Sequence, residues 1–372
     1  MSNKQIQLTG RDGALWDRNP GAGFTLLELM VAMAVFLVIG AAAVSLVSTH
    51  AKLSNQTQSQ VSLTMGLRNA VSMMEVDASN AGAGFFSTGS NPADWPIGVT
   101  IINRAQPCNP VPATTTYGAN CFDTLNIITT DSVAGAVHPT ANLDTNTTTT
   151  VTVTPPGVPS AANAAAFALL FKSGDELLWL KPGSPKSSLT TTTLTADGAA
   201  AGNNVTLTFA STTGLGINTS EKYMITQGLG TDAGDTTPAL THSFSAATDW
   251  VLRLNAIQYS VDSSNPANPK LMRKQGTQAL VAGGGDVVAE QIIGFRVGAS
   301  IRRANVDQPY TFNTADYSTD WTEIRSVRIS LIGRTPPNQD GSDQFKNAFD
   351  QGPYRIQGIS VTINPRNLSM ND

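Results

Sequence analysis

A single carboxylate interrupts the most apolar stretch of the chain. Residues 24–47 read FTLLELMVAMAVFLVIGAAAVSLV and contain one charged side chain, that of Glu28. An ionised carboxylate near the interior of a bilayer is costly and needs a partner. An amine from a neighbouring chain would form a strong ion pair there, because the local dielectric is low. The alternative is a glutamate at the membrane interface that reaches toward the headgroups or takes up a proton.

The two cysteines, Cys108 and Cys121, enclose the short segment PCNPVPATTTYGANC. A disulfide between them would close a loop of about 15 residues and would stabilise the fold by roughly 3 kcal/mol through lost chain entropy. Two cysteines without clustered histidines make a poor set of metal ligands. We predict a disulfide, which persists where the chain lies outside the cytoplasm.

Enzymatic chemistry is poorly supplied with residues. The three histidines, His50, His138 and His242, are scattered, and the chain has no G-x-S-x-G elbow, Walker A, H-E-x-x-H or Rossmann fingerprint. A Ser-His-Asp arrangement stays open, because its order along a chain is free. Residues 338–343 (NQDGSD) predict an Asp-Gly turn rather than a calcium loop, and residues 283–285 (GGG) a hairpin connection rather than a phosphate cradle. We predict no enzymatic activity, metal or cofactor.

The apolar run itself predicts a membrane-spanning helix. Residues 24–47 exceed the roughly 20 apolar residues that a bilayer core requires. Residues 1–23 are polar and mildly basic, so we expect this leader to lie in the cytoplasm. No small-residue cleavage site follows the run, as an ordinary secretory signal requires. The formal net charge of −4 provides no basic field for a nucleic acid.

The junction between leader and apolar run carries a motif. Residues 23–28 read GFTLLE and resemble the G-F-T-L-x-E signal of type IV prepilins. The resemblance implies that a prepilin peptidase cuts between Gly23 and Phe24, and that the new terminal Phe24 is N-methylated. It also implies that Glu28 pairs with the Phe24 amine of a neighbouring subunit during assembly. The implied partners are prepilin peptidase, other minor and major pilins, and the inner-membrane assembly platform.

The helix is expected to continue far beyond the membrane. No proline occurs between Phe24 and Ala81, and Gly82 and Gly84 are predicted to end the helix. About 57 residues at 1.5 Å each give about 85 Å of helix. Apolar residues recur at the spacing of one helical face at Leu63, Leu67, Ala70, Val71 and Met74.

The remaining residues, 83–372, predict a β-rich head outside the cytoplasm. The clearest strand is 326–331, which alternates polar and apolar side chains as half-buried antiparallel strands do. The predicted fold class is α+β, type IV pilin-like: a helix over 24–82, membrane-spanning over 24–47, packed on an antiparallel β-rich head with Thr/Ala/Gly-rich insertions near 131–248. The candidate strands are 124–130, 147–154, 166–172, 176–180, 205–209, 223–227, 250–259, 270–274, 291–301, 326–332 and 358–363.

Later segments resemble the PilW-type minor pilins in family order. Residues 81–86 (AGAGFF) are similar to the stretch that ends their helix, and residues 123–127 (DTLNI) to their D-x-L-x-[VI] strand. Residues 271–274 (LMRK) resemble L-x-R, and 290–297 (EQIIGFRV) the strand after it. Residues 324–331 (IRSVRISL) resemble V-R-x-[VI]-R-[IV]-x-L. No cysteine follows the Gly-Phe-Phe stretch, and 131–248 matches no pattern of this family.

Three functions are compatible with these observations. The PilW resemblance implies a minor pilin that primes pilus assembly and lies at or near the filament tip. A J-like pseudopilin of a type II secretion system would share the signal and the helix. A tip adhesin would use the Thr/Ser/Asn-rich loops to bind a surface or a sugar. In each case the chain is first a single-pass inner-membrane protein with a periplasmic head, and as a pilin it then reaches the cell surface.

Overall fold

The computed structural model describes residues 25–84, 98–102, 121–131, 133–145, 147–182, 188–210, 243–246, 248–275, 284–303, 306–307, 324–336 and 346–368. The chain divides into two compact units, Met1–Gln58 and Ser59–Asp372. The predicted strand at 223–227 and the motifs at 283–285 and 338–343 fall, wholly or in part, outside the described residues.

One long helix, α1 (Leu26–Ser79), dominates the N-terminal part of the chain. In the first unit, none of its residues up to Gln58 is buried, and the large apolar side chains from Leu26 to Val47 are exposed. Among the described residues, α1 is the one helix long and apolar enough to cross a membrane by length and composition. In the second unit, α1 buries the predicted face, with Leu67, Ala70 and Met74 almost inaccessible to solvent.

Antiparallel strands make up most of the second unit. The main sheet has the order β1-β2-β11-β12-β13, and β3, β6 and β7 extend it from β11. A second sheet has the order β15-β14-β16-β17, and a third has β5-β9-β8, while β4 pairs with β10. The strands are β1 (Val99–Ile102), β2 (Thr124–Thr130), β3 (Ala136–Val137), β4 (Leu143–Asp144), β5 (Thr150–Val153), β6 (Glu176–Lys181), β7 (Ser188–Thr193), β8 (Ala199–Ala201), β9 (Asn204–Thr208), β10 (Ser243–Phe244), β11 (Trp250–Asp262), β12 (Lys270–Gln275), β13 (Asp286–Glu290), β14 (Ile292–Arg303), β15 (Val306–Asp307), β16 (Ile324–Arg334) and β17 (Ile356–Ile363).

The larger hydrophobic core joins α1 to two sheets. Leu67 and Met74 of α1, Leu125 and Tyr259 of the main sheet, and Phe295 of the second sheet all belong to it. The alternation predicted for β16 is confirmed, because Val327, Ile329 and Leu331 are fully buried in this core. The apolar face of α1 therefore holds two sheets in one cluster.

A separate, smaller core lies in the inserted region. It contains Val153 of β5, Leu207 of β9, and Trp179 of β6. The Trp179 ring lies at 5.2 Å from the ring of Phe209 and at 5.2 Å from that of Phe244, between centroids. The described part of 131–248 is therefore a packed module with its own core, whereas the sequence predicted strands joined by long surface loops.

The predicted strand at 166–172 is wrong, because residues 166–168 are the end of a helix, α2 (Ala161–Ala168), and residues 169–172 form no strand. Ser160 caps its N-terminus, and the Ser160 hydroxyl accepts a hydrogen bond from the backbone N–H of Asn163 at 3.1 Å. Alanine has the highest helix propensity, and the segment AANAAAFA is dominated by it. The other candidate strands that fall within the described residues each overlap an observed strand.

Candidate functional site

The start of α1 forms a reciprocal hydrogen-bonded cap around Glu28. The Glu28 carboxylate oxygen Oε2 accepts from the backbone N–H of Thr25 at 3.0 Å and from the Thr25 hydroxyl at 3.1 Å. In return, the Thr25 hydroxyl oxygen accepts from the backbone N–H of Glu28 at 3.2 Å. This is a capping box, which satisfies two of the otherwise unpaired N–H groups at a helix start. Within the described residues, no hydrogen bond uses the second carboxylate oxygen, Oε1.

The capping box is visible in the sequence as Thr25-x-x-Glu28, but the prediction for Glu28 considered an ion pair, an interfacial position or protonation, and not a helix cap. The two roles are compatible, because the cap uses one oxygen and leaves the other directed elsewhere. Glu28 itself is exposed, as are its neighbours on α1. Gly23, Phe24 and Cys108 lie outside the described residues. The predicted cleavage, methylation and disulfide therefore stay predictions.

Cys121 lies just before β2. Its side chain is buried beside Phe122 in the larger core. Glu28 belongs to the first unit and Cys121 to the second. No group of three or more His, Cys, Asp or Glu residues that could hold a metal ion occurs among the described residues.

A buried charged network attaches the end of α1 to the main sheet. Arg273 of β12 donates from Nε to Asp77 Oδ2 at 2.8 Å and from Nη2 to Asp77 Oδ1 at 3.3 Å. The hydroxyl of Tyr259 on β11 donates to the same Asp77 oxygen at 2.5 Å. Burial, and then the hydrogen bond to Asp77, raise the pKa of Tyr259 well above its ordinary value. The hydrogen bonds that Arg273 donates to Asp77 also raise the pKa of Arg273, which keeps the guanidinium charged.

A second buried ion pair joins the two sheets. The fully buried Asp123, just before β2, accepts from Arg296 Nη1 at 2.9 Å and from the backbone N–H of Val297 at 2.9 Å. The backbone N–H of Asp123 donates to the carbonyl of Phe295 at 2.9 Å. The aspartate of the D-x-L segment and the strand after L-x-R are therefore direct partners across the core.

Two close approaches fix the helix against the strands. A Cβ atom on Gly333 of β16 would lie 2.7 Å from Leu63 Cδ1, so a larger residue there would require the Leu63 side chain to move. At the end of the helix, Gly82 has φ +74, and its N–H donates to the carbonyl of Ile128 at 2.9 Å. A Cβ on Gly82 would meet Leu368 at 2.7 Å, so the last described residue of the chain packs on the helix end.

The part of α1 in the second unit has a second apolar face. Val61, Met65, Met73 and Val76 are exposed at 52%, 61%, 45% and 60%. At 100° per residue they lie on the side of the helix opposite Leu67 and Met74. We call these four residues the outer stripe. The exposed polar residues Asn69 and Ser72 lie on the same side between Met65 and Met73, so the outer stripe consists of two apolar pairs, each offering a small surface to another helix or to lipid.

Comparisons with known proteins match both ends of the chain. The family model described as the prokaryotic N-terminal methylation motif matches residues 18–44, which include Thr25 and Glu28. The family model described as Type IV Pilus-assembly protein W matches residues 258–368, which include Arg273, Gly333 and Leu368. No curated protein matches the chain.

Among solved structures, the chain is similar to the type IV-like pilin TTHA1219 from Thermus thermophilus. The identity is 11%, the TM-score is 0.18, and the match covers 56% of this chain and 95% of that one. A TM-score this low carries no argument about the fold, which is established by the helix and sheets described above.

A methylation motif on a capped, exposed apolar helix, followed by a β-rich unit, defines a prepilin-like protein of the type IV pilin class. The second family match then makes the assignment more specific. The chain carries the N-terminal methylation motif over residues 18–44 and is similar to PilW-type minor pilins over residues 258–368.

Proposed function

We propose that this minor pilin is cleaved between Gly23 and Phe24, primes pilus assembly, and lies at or near the filament tip. The observation that carries the proposal is the exposure of α1 from Leu26 to Val47, where no side chain is buried. So large an apolar surface has to be covered by lipid or by other chains. In a filament, packing against other helices replaces the contact with lipid.

The outer stripe supports the same role beyond the membrane. Met65 and Val76 face away from the larger core, so they offer apolar surface to a neighbouring α1 while the opposite face holds the sheets. The proposed neighbours are other minor and major pilins. Prepilin peptidase and the inner-membrane assembly platform are the proposed partners before assembly.

Glu28 gives the assembly its register. Oε2 is held by Thr25, which fixes the direction of the carboxylate and leaves Oε1 for the Phe24 amine of a neighbouring subunit. The cap uses backbone and side-chain atoms of Thr25 that cleavage before Phe24 retains. In low dielectric this ion pair favours one stagger between adjacent helices over others.

The size of the second unit supports placement at the filament tip. The second unit, Ser59–Asp372, carries an inserted module with its own core in addition to the core on α1. A subunit of this bulk packs poorly in a repeating shaft, whereas a terminal position leaves one side open. The chain is proposed to be an inner-membrane protein with a periplasmic head before assembly, and a cell-surface protein afterwards.

Mass spectrometry of the chain from membranes and from sheared filaments, with and without prepilin peptidase, tests the proposal. A chain that starts at methylated Phe24 and is present at trace level in filaments supports it. An uncut chain in both strains contradicts the processing step. Abundance close to that of the major pilin contradicts the tip placement.

A tip adhesin is the second candidate, because the inserted module exposes apolar side chains. Val158 and Leu169 beside α2 are 80% and 69% exposed, and no charged residue occurs from Thr145 to Phe171. Loss of surface attachment with normal filament number, after Val158→Ser and Leu169→Ser, is expected if the module binds a surface. Unchanged attachment contradicts this role.

A further inference from the structure

The edge strand β17 offers a complete side of backbone groups to solvent. It pairs with β16 over eight residues, from Ile356 opposite Arg334 to Ile363 opposite Val327, without a register shift. In the part of the chain that the structure describes, no strand follows β17 in its sheet. Alternate residues of an antiparallel strand direct their N–H and C=O groups away from the partner strand. Those of β17 make no backbone hydrogen bond with a described residue beyond β16.

Several of the other described edges are short or carry charges, whereas β7 is a second uncharged edge, two residues shorter than β17. β13 has Asp286 and Glu290 at its two ends, and its pairing with β12 contains a register shift. β15 has two residues and β8 has three. Charges, irregular pairing and short length are the means by which edge strands avoid pairing with other chains. β17 reads IQGISVTI, with no charge, no proline and no irregularity.

The side chains of β17 leave this edge accessible. Gln357, Ser360 and Thr362 are exposed, and Ile359 and Val361 are half-buried. Ile363 is buried in the larger core, so the strand is anchored at its end. An extended peptide that adds to such an edge gains its affinity from backbone hydrogen bonds. The strand that fits opposite β17 is itself uncharged, because a charge placed against Ile359 or Val361 would lose its hydration.

The edge begins beside the helix that is proposed to pack in the filament. Arg355, directly before β17, donates from Nη1 at 3.0 Å and from Nε at 3.1 Å to the side-chain oxygen of Gln60 on α1. Gln60 is the residue next to Val61 of the outer stripe. The Gln60 side chain itself lies on the side of α1 that faces the sheets, as Leu67 does, so β17 begins beside the helix on that side.

We infer that β17 accepts an uncharged, extended strand from the head of a different pilin subunit, which continues the second sheet across the two subunits. This inference rests on the proposed function. Antiparallel pairing of β17 with a second copy of itself is a twofold arrangement that reverses every element lying along the sheet, α1 included. Two copies held in one membrane by α1 run in the same direction, so this self-pairing is not available to them.

A photoreactive amino acid at Gln357 of the full chain, expressed in its own cells, tests the inference. Irradiation is expected to join the chain to a strand of another pilin's head, identified by mass spectrometry of the linked peptide. The same probe at Val287, which is exposed on the charged edge β13, is the matched control and is expected not to give this product. A product with a second copy of the chain, no protein product, or equal yields at both positions overturns the inference.

A lysine on the edge supplies the second measurement. Thr362→Lys places a charge against the incoming strand and is expected to abolish the product at Gln357. Thr362→Ser keeps the size and charge and is expected to retain it. Recovery of the chain in sheared filaments is measured in the same cells. Recovery in filaments without the product contradicts the edge inference alone, whereas absence of the mature chain from filaments contradicts the proposed function.

Discussion

Asp77 on α1 and Arg273 on β12 are 196 residues apart in sequence and form a bidentate ion pair in the structure. The side chains are 14% and 20% exposed, so the pair is mostly shielded from water. The Tyr259 hydroxyl donates a further hydrogen bond to the same carboxylate. The arginine of the L-x-R segment thus attaches the helix to the sheet, and does so inside the region that matches the Type IV Pilus-assembly protein W model.

Asp77→Asn is expected to lower the free energy of unfolding by about 2 kcal/mol, because it leaves the Arg273 charge partly buried without its partner. Denaturant unfolding of the full chain in detergent measures the change. Asp197→Asn is the matched control, since the Lys172–Asp197 pair is 54% and 58% exposed and such solvent-screened pairs contribute little to stability. Equal effects of the two variants would show that Asp77 does not anchor the helix.

Gly333→Val is expected to destabilise the protein by about 1–3 kcal/mol, because the added atoms meet Leu63 where α1 comes nearest to β16. Leu63→Ala removes the obstacle, so the double variant should be less destabilised than the sum of the single variants. Gly66→Ala is the control on the same helix. Nothing lies within 4 Å of a Cβ at that position, and alanine is the better helix former there.

The raised pKa of Tyr259 predicts that the protein loses stability in alkaline solution. Its pKa is raised in the folded chain by burial and by the bond to Asp77, so above about pH 10 the unfolded chain loses the proton while the folded chain keeps it. This contribution is complete below pH 10 and falls as the pH rises further. Tyr259→Phe should reduce stability at neutral pH by about 1 kcal/mol and flatten the alkaline decline. Unfolding midpoints between pH 7 and pH 11 give both quantities, and parallel curves for the two proteins would contradict the assignment.

Local patterns in the sequence predicted the long helix and most of the longer strands. The 3-4 spacing from Leu63 to Met74 predicted the buried face of α1, and the alternation at 326–331 predicted β16. The helix at Ala161–Ala168 was missed because a short apolar run without β-branched residues fits either a strand or a helix. The Thr25–Glu28 cap could have been found from its S/T-x-x-E spacing.

The contacts that hold the elements together were not predictable in this way. Asp77 and Arg273, or Gly333 and Leu63, meet only after the sheets pack on α1, and no short segment encodes which aspartate faces which arginine. The core of the inserted module was also missed. Its apolar residues are spread over α2 and several strands, so no single segment shows that they pack together.

The predicted disulfide is expected to stabilise the second unit by roughly 3 kcal/mol through its loop of about 15 residues. Cys108→Ser and Cys121→Ser should therefore lower the unfolding midpoint, and reduction of the parent chain should do the same. Alkylation under non-reducing conditions followed by mass spectrometry checks the bond directly. Labelling of both cysteines in the unfolded, unreduced chain would contradict the prediction.

Two variants can separate the role of Glu28 in the helix cap from the role of its charge. Glu28→Gln keeps a side chain that can close the capping box but removes the charge that would meet a neighbour's amine. Thr25→Ala removes the hydroxyl bonds of the cap, at about 1 kcal/mol of helix stability, but keeps the backbone bond from residue 25 to Glu28 and the charge. If Glu28 acts in assembly through its charge, Glu28→Gln should be processed normally yet accumulate in the membrane, whereas Thr25→Ala should still enter filaments. The ratio of mature chain in sheared filaments to that in membranes measures this. If Thr25→Ala is excluded from filaments while Glu28→Gln enters them, the carboxylate serves the helix start and the ion pair is not needed.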